Sequence, residues 1–122
     1  MQEVINQAMA DNGLLSTMQA FPRVHKVYEA TTRVEGDSSQ EIRQRIINYA
    51  TNPSPDTLRL LPQALQPYIQ KVVEESYKVT DRDIKELQNS GYSEDFVFEI
   101  TVTASLGSGL RRFRAGIDAL SK

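Results

Sequence analysis

The sequence predicts an all-α protein, a multi-helix bundle with one long C-terminal helix as its core pillar. Three observations predict it. Over 94–120, Phe98, Val102, Leu106, Leu110, Phe113, Ile117 and Leu120 recur at steps of three or four, the period of a helix with about 3.6 residues per turn. Only one stretch, Val24 to Val34, is β-branched enough to rival a helix, and no second strand exists to pair with it; a lone strand leaves its backbone groups unmatched. Capping pairs at Ser38-x-x-Glu41 and Thr80-x-x-Asp83 open helices, and Asn12-Gly13, Asn52-Pro53 and Gly91 close them.

The bulk numbers fit one helical domain over 1–122. The chain has 122 residues, 25% charged and 39% hydrophobic, ordinary values for a globular protein. A formal charge of −2 and a pI near 5.4 argue against nucleic acid and anionic membrane as partners. No run approaches the roughly 20 apolar residues of a membrane span, and Met1-Gln2-Glu3 does not begin like a signal peptide. A cytoplasmic location is the expectation. The chain has no cysteine and a single histidine, His25. Disulfides, thiolate zinc sites, iron–sulfur clusters and cysteine nucleophiles are excluded, and no metal or cofactor is expected.

In order, Val4, Ile5, Ala8 and Met9 fit a short first helix. Leu14, Leu15, Met18 and Phe21 continue the spacing up to Pro22. Residues 22–36 keep a helical step but stay open between helix and strand because of their β-branched content. Glu35-Gly36-Asp37-Ser38 is a break, with Ser38 expected to cap the helix carrying Ile42, Ile46, Ile47, Tyr49 and Ala50. Asp56 can cap a single turn through Leu61. Leu61, Leu65, Ile69, Val72, Val73 and Tyr77 then form one stripe, and the helix either starts near Gln66 or kinks at Pro67. Thr80 and Asp83 open a short helix with Ile84 and Leu87 inward. Ser93 caps the last helix, and Glu94 and Asp95 favour its positive end.

The last helix carries a second set of apolar or small residues opposite the first: Val97, Ile100, Thr101, Ala104 and Ser108, continued by Arg111. Two glycines within it, Gly107 and Gly109, each cost about 1 kcal/mol relative to alanine, which implies a packing reason. With the large residues on the core side, Val97, Thr101, Ala104, Ser108 and Arg111 become the expected subunit contact. The Gly-x-Gly sits mid-helix and is no phosphate loop. The short helix and turn before it suggest a helix-turn-helix, but an opening of Glu94-Asp95-Phe96-Val97-Phe98 repels phosphate.

Few residues invite catalysis. His25 reads as structural or exposed, with no acidic partner expected on its face. Arg111, Arg112 and Arg114 form the one basic cluster, with Arg114 four residues from Asp118. Glu99 sits beside the apolar stripe, where a carboxylate lies either at the edge or buried with a raised pKa. Glu99, Tyr68 and Arg112 are the candidate acid–base and binding groups for chemistry without a thiol.

Val79-Thr80-Asp81-x-Asp83-Ile84-x-x-Leu87, Gly91-Tyr92-Ser93-Glu94-Asp95, Phe98-Glu99-x-Thr101-Val102 and Leu110-Arg111-Arg112 together resemble the alkylhydroperoxidase D-like, or carboxymuconolactone decarboxylase-like, superfamily. The likeness covers about half the chain, Leu61 to Leu120. It implies an orthogonal helical bundle and a homo-oligomer, from dimer to hexamer. The peroxidase branch carries Cys-x-x-Cys-x-x-x-His, whose places would fall near Gln63, Gln66 and Gln70, so its redox activity does not carry over. The decarboxylase branch leans on a histidine with no counterpart in the matching region. The expectation is a homo-oligomeric binding or scaffold protein without the redox motif. The alternative is a non-thiol enzyme acting on a small carbonyl or lactone compound, with room for a small-molecule ligand. A shorter likeness, Leu87-x-x-x-Gly91-Tyr92, to ubiquitin-associated domains fails on the length of the last helix.

Overall fold

A computed structural model describes residues 14–120. They fold into seven α-helices and two single-turn 3₁₀ segments, with no strand among the described residues. The helices are α1 (Leu14–Ala20), α2 (Pro22–Arg33), α3 (Gln40–Thr51), α4 (Pro55–Arg59), α5 (Gln66–Glu74), α6 (Asp81–Asn89) and α7 (Glu94–Leu120). The helix expected over Val4 to Met9 lies outside the described residues.

Prolines and caps place the boundaries. Phe21 precedes a proline and leaves the helical region at φ −128°, ψ 84°, so α1 and α2 are separate. Residues 22–33 are helical, which settles the helix–strand ambiguity there. The α3 cap is Ser39, whose side chain accepts from the Ile42 N–H, and not Ser38. Ser54, rather than Asp56, caps α4 in a reciprocal box with Thr57. Pro67 sits in the first turn of α5, so that helix starts at Gln66 without a kink. The Thr80–Asp83 box opens α6 as expected. Gly91 takes φ +103°, a left-handed value suited to glycine, where the chain turns into α7. Ser93 Oγ accepts from the Phe96 N–H at 3.0 Å.

α7 is the pillar, and α3 packs against it more extensively than any other helix does. Ile46, Tyr49 and Ala50 of α3, Ile69, Val72 and Val73 of α5, and Phe96, Val97, Ile100 and Ala104 of α7 share the main core. A smaller cluster joins Met18, Tyr28, Ile47 and Leu110. At the α3–α7 crossing, a Cβ on Gly107 would stand 2.5 Å from the Ala50 Cβ. This contact needs a glycine, because backbone and methyl meet with no room for another carbon.

The pillar is rotated relative to the expectation. Its buried face is Phe96, Val97, Ile100, Thr103, Ala104, Gly107, Ser108 and Leu110. Of the stripe of large residues, only Leu110 is buried; Phe98 is 68% exposed, Leu120 84%, and Val102 and Phe113 are exposed too. The small residues face inward because they let α3 and α5 approach closely, and close approach recovers more packing than large side chains would with the helices held apart. The expected contact residues Val97, Ala104 and Ser108 are therefore core positions within one protomer. Thr101 and Arg111 are half-buried beside them. Val97, Ala104 and Ser108 therefore leave no surface for a second copy to cover.

Candidate functional site

The residues singled out for chemistry lie on different sides of α7. Glu99 and Thr101 are separated by about 200° around the helix, and their partners differ accordingly. The Glu99 carboxylate faces the α2–α3 loop. It accepts from the Asp37 N–H at 3.0 Å, the Ser38 N–H at 2.8 Å and the Ser38 hydroxyl at 2.5 Å. Burial pushes its pKa up, but the Ser38 hydroxyl, the two backbone donors and the nearby Arg43 charge outweigh this and hold it below the ordinary carboxylate value. Of the two alternatives open in the sequence, the half-buried edge position holds, and its pKa is lowered. With its lone pairs engaged, this carboxylate acts as a staple rather than as an acid or base near neutral pH.

The staple explains the loop's composition. A Cβ on Gly36 would come within 2.6 Å of all three carboxyl atoms of Glu99, so a larger residue there would push the carboxylate off its loop donors. Ser93, the α7 cap, also donates to the Asp37 carboxylate at 2.6 Å. Beneath the loop lies Arg43, 1% exposed. Its guanidinium donates to the Thr31 carbonyl at 2.9 Å, to the Val34 carbonyl, and to the Ser38 carbonyl at 3.4 Å. These are orphan carbonyls at the C-terminal end of α2 and just beyond. Gln40 donates to the Arg33 carbonyl at 2.9 Å and completes the cap. Arg43 was missed in the sequence. The signal was its place one turn before Ile46 and Ile47, on the apolar face of α3.

Tyr68 sits across the helix. Its hydroxyl lies 2.7 Å from Thr101 Oγ, and the Thr101 hydroxyl donates to the Val97 carbonyl at 2.6 Å. Tyr68 is therefore the donor in the first of these bonds, and it ties α5 to α7. Arg112 is exposed one helical region further on and donates to Ser108 Oγ at 2.7 Å. Glu99 is thus on the opposite side of the pillar from Tyr68, and the two line different grooves. Arg111 keeps a buried Nε without a hydrogen-bond partner near Tyr49. Arg114 pairs with Asp118 at 3.2 Å, as expected, and also donates to Thr17 at 3.1 Å. His25 does have an acidic partner, contrary to expectation: its Nε2 lies 2.9 Å from Glu29 Oε1, one turn on, at the exposed surface.

Two of the open grooves lie along α5. One of about 280 Å³ between α5 and α6 is lined by Pro67, Tyr68, Lys71, Asp83 and Leu87, and the Lys71–Asp83 pair at 3.0 Å spans it. The Asp83 carboxyl is held below its usual range by the Thr80 backbone donor and by Lys71. The other, about 450 Å³, lies among Tyr49, Pro53, Leu58, Gln70 and Glu74. Ser90 and Glu86 also line the first groove, and Ser54 and Glu75 the second, but the Ser90 hydroxyl donates to the Glu86 carbonyl and Ser54 Oγ is engaged by Thr57, so neither hydroxyl is paired with a base.

The distinctive surface is instead the outer side of α7. Phe98, Val102 and Phe113 stand exposed along it. α2 runs antiparallel beside it, with Val34 near Phe98 and Val102, and Val24 and Val27 near Leu106 and Phe113. Phe21 closes one end by an edge-on contact with Phe113, ring centres 5.2 Å apart. No charged residue of α7 interrupts the row Phe98, Val102, Ser105, Gly109, Phe113, Gly116. No helix among the described residues is long and apolar enough to cross a membrane. Comparison with family models, with curated proteins and with solved structures finds no match to the chain.

Proposed function

We infer that the protein is a homo-oligomeric helical binding or scaffold protein, and that its working surface is the outer side of α7 with α2 beside it. One observation carries this reading: a continuous apolar face on the longest helix, with Phe98 68% exposed. Contiguous apolar surface of that kind marks protein association more often than solvent exposure. The likeness of 61–120 to the alkylhydroperoxidase D-like superfamily is part of the same proposal, as are a dimer-to-hexamer range and a cytoplasmic setting. The dispersal of Glu99, Tyr68 and Arg112 weighs against the enzymatic alternative. Multi-angle light scattering of the purified full chain at about 100 µM tests the reading. An oligomer that Phe98→Asp converts to monomer is the expected result; a wild-type monomer overturns it.

A further inference from the structure

The outer stripe of α7 is complementary to itself in one arrangement. Gly109 and Gly116 have open space where a Cβ would stand, so neither is required by packing within the protomer. Gly107 differs, since it is filled by Ala50. Each outward glycine weakens the helix by about 1 kcal/mol relative to alanine with no return inside one chain. On the same stripe Phe98 is a large exposed knob. At about 100° per residue, Phe98 and Gly109 differ by only about 20° around the axis, so both point the same way.

The charges follow the same symmetry. Glu94 and Arg112 are eighteen residues apart in sequence, five whole turns at about 3.6 residues each. Both lie on the flank of the stripe away from α2. Both are exposed and neither has an ion pair among the described residues; Arg112 bonds only the neutral Ser108 hydroxyl.

Resting on the reading above, we propose that the partner on this face is a second copy of the chain, its α7 antiparallel to the first across a twofold axis near Thr103. An antiparallel twofold brings residues equally far from the axis, on the same flank, face to face. Glu94 then meets the partner's Arg112, Phe98 meets the bare backbone at the partner's Gly109, and Val102 lies level with the partner's Ser105 beside the axis. The midpoints of these three pairs agree within half a residue, less than about 1 Å of helix rise. A parallel pairing sets Glu94 against Glu94, Phe98 against Phe98 and Arg112 against Arg112. The antiparallel overlap from Glu94 to Phe113 is about 28 Å long. With α2 alongside, two helix widths give a total of about 1,100 Å² over both partners, just above the roughly 1,000 Å² of a specific contact. The contact is therefore a dimer of modest strength, reversible by dilution.

The absence of cysteine from the chain makes the register directly readable. Phe98→Cys and Gly109→Cys are prepared separately and oxidised with copper phenanthroline, alone and mixed. The expected result is a disulfide dimer in the mixture only, because like positions stand about 16 Å apart in this register. Cross-linking of Phe98→Cys alone overturns the antiparallel arrangement while leaving self-association intact. A monomeric wild type, its stripe covered by another partner or by the chain's own flanking segment, overturns both. Sedimentation of Glu94→Arg should show dissociation at least fivefold stronger than wild type, and Glu94→Arg with Arg112→Glu should return it to within twofold. Failure of the double variant to recover, with both variants folded by circular dichroism, refutes the ion pairing and with it the register.

Discussion

Glu99 shows how one side chain can be placed near correctly and still be given the wrong role. Its position beside an apolar stripe was visible in the sequence, but three donors from a loop more than sixty residues upstream were not. Hydrogen bonds to a charged group are worth about 1.5–3 kcal/mol each in mutational series, discounted here because the carboxylate is half exposed. Glu99→Gln should therefore lower stability by about 1–2 kcal/mol in urea unfolding. The pH response follows from the lowered pKa. The staple contributes fully above the ordinary carboxylate value and is lost as pH falls through the depressed one. Thermal unfolding from pH 7 to pH 3 should show an acid loss that Glu99→Gln blunts. The two mid-helix glycines offer a paired comparison. Gly107→Ala drives a methyl into Ala50 and should cost about 1–3 kcal/mol. Gly109→Ala meets open space and should stabilise the isolated protomer by about 1 kcal/mol. Urea titrations at submicromolar concentration separate them.

The elements divide by how local their causes are. The Thr80–Asp83 box and the Ser93 cap could be read in advance, because each is decided within four residues, whereas Pro67 left a start near Gln66 and a kink both open. Thr80→Ala should cost about 1 kcal/mol, the usual loss of an N-cap, measurable by denaturation. Ser38 and Ser39 are adjacent and chemically alike, and only the distant Glu99 decides which of them caps α3. The C-terminal end of α2 has no glycine; a buried arginine from the next helix closes it instead. That arrangement has no local sequence pattern. α7 was the costliest misreading. Its length and amphipathic spacing were legible, but both sides of it carry apolar residues. Hydrophobic period alone cannot rank a face of large side chains against a face of small ones. The closeness of α3, set at Ala50 and Gly107, decides it. Ala104→Trp is accordingly expected to unfold the protomer, since Ala104 is fully buried, with loss of the cooperative melt as the readout.

At the scale of the molecule, the all-helical class followed from punctuation and period, and the described residues bear it out. The surface proposed for assembly did not follow, because it depended on the same choice of face. Reversing the pillar moves the expected contact from Val97, Ala104 and Ser108 to Phe98, Val102 and Gly109. The proposed self-association would cover the apolar row left facing outward. It also predicts that Phe98→Asp leaves the melting of a dilute sample nearly unchanged while abolishing its dependence on protein concentration.

The Glu99 staple also bears on the order of folding events. It joins residues 61 apart in the chain, and closing a loop of that length costs about 3.6 kcal/mol of chain entropy. The staple's own bonds are too weak to bear that cost first. Docking of α3 on α7 closes nearly the same loop with a large apolar contact, after which the loop over 34–39 need travel only a short way. The staple is therefore expected to form after the rate-limiting barrier. Its removal should accelerate unfolding in stopped-flow experiments and leave the refolding limb where it was, so this glutamate acts as a latch on the finished fold and takes no part in its nucleus.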